Sequence, residues 1–192
     1  MMGKGRLEAF SDGVIAILIT IMVLELKVPH GTDLTALRPL IPVFGSYALS
    51  FVYLGIYWNN HHHLIHTAKQ VNGSILWANL HLLFWLSLVP FATAWMGENH
   101  FAPIPVALYG VSLLMPAIAY YLLTRVLIRR HGPDSHLAQA VGRDFKGQVS
   151  ILAYLAGVVV ACRLPAVAMA LYVLVALMWL VPDRRIERVL EG

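Results

Sequence analysis

One cysteine, Cys162, stands in a chain of 192 residues, which excludes an intrachain disulfide and leaves packing as its expected role. Charged side chains make up only 12% of the chain, about half of what soluble domains carry, so an ordinary soluble domain is excluded as well. The sequence has no glycine-rich phosphate loop, no serine nucleophile with an evident base and orienter, and no paired catalytic carboxylates. Those absences argue against an enzyme, and no cofactor is expected. The first apolar run passes into Leu24-Glu25-Leu26-Lys27-Val28-Pro29, which offers no small-residue cleavage site, so that run is expected to stay in the mature protein.

What the chain does have is apolar length. Hydrophobic residues make up 59% and the mean hydropathy is +0.70. A helix needs about 20 mainly apolar residues to cross the hydrocarbon core. Segments 7–28, 40–59, 75–96, 104–128, 145–162 and 164–181 come close to that, which predicts an all-α polytopic membrane protein with six spans in a single domain, 1–192. The fifth run is the shortest and only Arg163 parts it from the sixth. Arg163-Leu164-Pro165 reads as a tight connection, because proline suits the first turn of a helix. Barrel strands alternate apolar and polar residues, and 151–161 and 167–180 do not.

Basic residues set the expected orientation. With the N-terminus inside, Lys4, Arg6, Lys69, Arg125, Arg129, Arg130, Arg143, Lys146, Arg184, Arg185 and Arg188 lie on the cytoplasmic side, and only Lys27, Arg38 and Arg163 lie outside. A multi-pass protein of the cell membrane with both termini cytoplasmic follows. Trp58, Trp77, Trp95 and Trp179 fall near span ends, where indole rings favour the interface. The isoelectric point of 9.4 does not indicate nucleic acid, because the basic residues are spread over separate flanks that suit lipid headgroups.

Two polar clusters break the apolar pattern. Ser11 and Asp12 open the first span, where an ionisable group costs roughly 2.5–3.5 kcal/mol and needs a partner, water or an ion. Trp58-Asn59-Asn60-His61-His62-His63-Leu64-Ile65-His66 closes the second. The topology puts both clusters at the cytoplasmic side, so Ser11 and Asp12 are placed to meet His61 or His62 in a helix-to-helix brace that can also sense pH. Arg6 is a further partner for Asp12, on another helix or subunit, since six residues is poor spacing within one helix. His62 and His66 stand i, i+4 apart, a spacing open to a metal; His30, His81, His100, His131 and His136 are scattered singly, so no metal site is expected.

At about 100° per residue, Gly13, Ile17, Thr20, Ile21 and Leu24 share one stripe of the first helix, with Asp12 about 140° round from Ile17. A ring of Ile or Leu gates a channel by dewetting, and a Thr hydroxyl partly replaces hydration. The same spacing fits a seam packed on another span, and it does not choose between the two. Nor does it say whether Ile21 shares a constriction or packs sideways. There is no Thr-Val-Gly-Tyr-Gly filter in the chain.

The pattern Arg6-x-x-x-Phe10-Ser11-Asp12-Gly13-Val14, followed by Ile17, Thr20, Leu24 and Glu25, resembles the first helix of the transmembrane protein 175 family of potassium-permeable channels. Tyr57-Trp58-x-Asn60-His61-His62, Asn79-Leu80, the stretch from Ser87 to Ala94, and Gly97-Glu98 agree with it. The likeness covers the first half; the second resembles the family in span count and hydropathy. The resemblance implies a homotetramer with four first helices around a central pore, no P-loop selectivity filter, and potassium as the permeant ion. It further implies constrictions at Ile17 and Leu24, ion selection at Thr20, and Phe10, Ser11 and Asp12 bracing the first helix through Trp58, Asn60 and His61. Two rivals are a proton-coupled transporter using Asp12 and His61 or His62, with Pro90 and Pro116 interrupting the third and fourth spans, and a membrane metalloprotein built on His61, His62, His63 and His66.

Overall fold

The computed structural model describes residues 3–68, 70–132, 137–138 and 144–180. Lys69, His136, Arg143, Arg184, Arg185, Arg188 and the last residue of the sixth expected span lie outside the described residues. Among those described there is no strand. The helices are α1 (Lys4–Ile21), α2 (Ile41–His66), α3 (Gly73–Ser87), α4 (Val89–Glu98), α5 (Pro103–His131), α6 (Phe145–Ala161) and α7 (Pro165–Leu180), with 3-10 turns at Met22–Glu25 and Leu34–Leu40.

Among the described residues, four helical segments are long and apolar enough to cross a bilayer: Lys4–Glu25, Leu34–His66, Gly73–Glu98 and Pro103–His131. The apolar helices α6 and α7 are shorter, 17 and 16 residues, or about 25 Å at 1.5 Å per residue. Residues 162–164 join them, with Arg163 and Leu164 both donating to the Val160 carbonyl and Pro165 starting α7.

Helix boundaries depart from hydropathy in two places, each with a local cause. α2 continues past Asn59 to His66, because polar residues sustain a helix beyond the apolar depth. Asn60 donates to the Ile56 carbonyl at 2.8 Å, Thr67 to that of Leu64 at 2.7 Å, and the Lys4 ammonium meets the His66 carbonyl at 2.6 Å. That cation satisfies an orphan carbonyl at the negative end of α2. The third span breaks at Leu88 into α3 and α4. Pro90 has no N–H to give the Leu86 carbonyl, and Leu88 tightens to donate to Trp85 at 3.2 Å. Pro116, by contrast, sits inside an uninterrupted α5.

Two cores hold the helices. Leu7, Ile15 and Leu18 of α1 and Met22 of the following 3-10 turn pack with Leu54, Leu64 and Ile65 of α2, Ile75, Leu82 and Leu86 of α3, and Leu123 and Leu127 of α5. Tyr53, Met96, Tyr109, Tyr154 and Tyr172 centre the other, between α2, α4, α5, α6 and α7. α5 is the mast of the fold, packed on α3, α4, α6 and α7.

Candidate functional site

The first helix has two unlike faces. Leu7, Ser11, Ile15, Leu18 and Met22 recur at three- and four-residue steps and are buried. On another face Ile17 is 59% exposed, Leu24 77% and Ile21 39%, with Thr20 exposed between them. At about 100° per residue the Ile17 row lies roughly 130° from the buried face, and its exposure shows that none of the described helices covers it. The Thr20 hydroxyl donates back to the Ala16 carbonyl at 3.1 Å and the Ile17 carbonyl at 3.0 Å. A hydroxyl has one proton and two lone pairs, so once the proton is used on the helix, the oxygen offers acceptor capacity to whatever faces it. Beyond Ile21 the backbone tightens into the 3-10 turn that carries Leu24.

The buried face of α1 is pinned by a polar chain across three helices. Asn79 of α3 donates its amide to Ser11 Oγ at 2.9 Å, and its carbonyl oxygen lies 2.6 Å from His61 Nε2 of α2. A carbonyl oxygen only accepts, so His61 donates through Nε2. All three side chains are buried. Ser11 therefore reaches His61 through Asn79, not directly. Asn79 was not among the bracing residues expected from sequence; the signal available was a lone amide in the middle of an apolar run.

The remaining expected residues are placed as follows. Asp12 is partly exposed and makes no hydrogen bond or ion pair with described residues, although its charge and that of Glu8 act on His61. Phe10, on the Ile17 side of the helix, and Trp58 are each about half exposed, and Arg6 is exposed. Asn60 accepts from the Tyr120 hydroxyl at 3.1 Å through its backbone carbonyl. His62 is exposed, with ring centroids 5.6 Å from His63 and 6.0 Å from His66. Among the described residues no group of three or more His, Cys, Asp or Glu is placed to hold a metal ion.

At the opposite end of α1, Lys27 Nζ lies 2.8 Å from Glu98 Oε1, tying the segment after Leu24 to the end of α4. The hydrogen bond and charge of Glu98 raise the Lys27 pKa above its ordinary value.

Residues 6–90, which take in α1 from Arg6 onward, α2, α3 and the whole Ser11–Asn79–His61 chain, match the family model described as endosomal/lysosomal potassium channel TMEM175. A protein named potassium channel from Chryseobacterium sp. (strain P1-3) is 59% identical over 190 residues, covering 99% of both chains. Another of that name from Streptomyces collinus is 34% identical over 128 residues, 62% of each. The fold is similar to the crystal structure of a lysosomal potassium-selective channel TMEM175 homologue from Chamaesiphon minutus. The TM-score is 0.81 at 26% identity, over 94% of this chain and 97% of that one.

Proposed function

Since this chain belongs to the TMEM175 family, a family of membrane ion channels, we propose that it conducts potassium passively through a pore formed by four copies of its first helix. The observation that carries this reading is the exposed row Ile17, Thr20, Ile21 and Leu24 on a helix whose other face is packed and pinned. In the tetramer Ile17 and Leu24 form apolar constrictions that close by dewetting, and Ile21 lines the wall between them. Thr20 supplies outward lone pairs that replace part of an ion's hydration shell, in place of a P-loop filter. The half-exposed Phe10, the unpaired Asp12 and the exposed Arg6 meet neighbouring copies, completing the bracing begun by Ser11 and His61. The subunit spans the cell membrane six times with both termini cytoplasmic, α6 and α7 being the last two spans.

Purified protein reconstituted in liposomes tests this reading. It is expected to dissipate an imposed potassium gradient without ATP or a counter-substrate. Silence from protein shown to be folded and tetrameric would overturn it. Potassium accumulation driven by an imposed proton gradient would replace it with the proton-coupled transporter.

A further inference from the structure

Between α2, α5, α6 and α7 lies a cleft that conduction through α1 does not use. Its space is about 530 Å³ counting the open solvent at its mouth. Its walls are aromatic: Tyr57 of α2, Tyr120 and Tyr121 of α5, Tyr154 of α6 and Trp179 of α7, with the Asp144 carboxylate at the start of α6. Tyr57 and Tyr120 meet edge to face with centroids 6.3 Å apart, giving the cleft two non-parallel walls. Two of its rings already seat cations: the Arg125 guanidinium lies 4.9 Å from the Tyr121 centroid and the Lys146 ammonium 5.8 Å from that of Trp179. Asp144 is fixed in place as the cap of α6, accepting from the Gly147 N–H at 3.2 Å.

Aromatic rings lining a cleft beside a carboxylate are the chemistry that recognises an alkylammonium group. The depth of the cleft supplies the source. It lies where α6 begins, where α7 nears its end and close to the last turns of α2, at the level where bilayer headgroups meet aromatic side chains. We propose that this cleft binds the headgroup of an amine-bearing phospholipid, with the ammonium among the tyrosines and Asp144 and the phosphate towards Arg125. A lipid with phosphate but no amine gains only the Arg125 and Lys146 cations and meets Asp144 with the wrong sign.

Native mass spectrometry of the purified full chain with short-chain phosphatidylethanolamine, short-chain phosphatidylglycerol or free ethanolamine tests this without recourse to ion flux, so its outcome is independent of the channel reading. Phosphatidylethanolamine is expected to be retained at least about fivefold better than phosphatidylglycerol, the scale of one ammonium seated on aromatic rings. Tyr121→Phe should keep that preference, whereas Tyr121→Leu and Asp144→Asn should lose it. Asn caps a helix as well as Asp, so the second variant removes charge without removing the cap. Equal retention of both phospholipids, or a preference untouched by Tyr121→Leu and Asp144→Asn, would overturn the proposal. Free ethanolamine held as tightly as the lipid would overturn the assignment to lipid.

Discussion

The side-chain amide of Asn79 donates to the Ser11 hydroxyl at 2.9 Å, in a place where neither residue is exposed. That bond sets the rotation of α1. With Ser11 held inward, geometry turns Ile17, Thr20 and Leu24 away from the subunit. Because Asn79 also accepts from His61 at 2.6 Å, one side chain serves three helices.

Asn79→Ala removes both bonds at once and leaves a buried imidazole N–H without a partner. Interhelical hydrogen bonds in membranes average about 0.6 kcal/mol, so a loss of roughly 1–2 kcal/mol is expected, with Ser11→Ala costing less than half as much. Reversible unfolding in mixed detergent micelles measures both.

Thr20→Val keeps the shape of the side chain and removes the oxygen. Potassium-over-sodium permeability from reversal potentials is expected to fall severalfold in Thr20→Val and to be kept in Thr20→Ser, whose hydroxyl retains the lone pairs.

In the proposed pore, Leu24→Ala widens the constriction at that position and lowers its cost of wetting. A higher potassium leak through liposomes is expected. Leu152→Ala, also exposed but on α6, should leave the leak unchanged.

Tyr172 is fully buried, and its ring fills the space that a Cβ on Gly157 or Gly110 would need. Gly157→Ala overpacks this contact between α6 and α7 and is expected to destabilise by about 1–3 kcal/mol in the same unfolding assay. Tyr172→Phe should have the opposite sign. Its hydroxyl is buried without a hydrogen-bond partner among the described residues, so deleting it removes a desolvation penalty of about 1 kcal/mol or more.

Much of the fold was legible because bilayer length and helical period are local properties. The apolar runs marked the helices, and the 3.6-residue period placed Ile17, Thr20 and Ile21 on one side of α1, with Leu24 exposed on the 3-10 turn beyond them. Pro90 announced the break between α3 and α4 through its missing N–H. What the sequence did not disclose depends on partners far along the chain. Asn79 stands 68 residues from Ser11 and 18 from His61, and no local pattern says that one amide joins them. Hydropathy also ended α2 at Asn59, because an apolar run measures depth in lipid, whereas helix length follows backbone bonding and caps such as Lys4 on His66.

Thiol modification tests the central claim most directly. In a Cys162→Ser background, Ile17→Cys and Leu24→Cys protein is reconstituted and treated with a water-soluble, positively charged thiol reagent while potassium flux is followed. Flux should be largely blocked at both positions and untouched in a Leu152→Cys control. Complete modification of Ile17→Cys and Leu24→Cys, verified by mass, with flux unchanged would contradict the account.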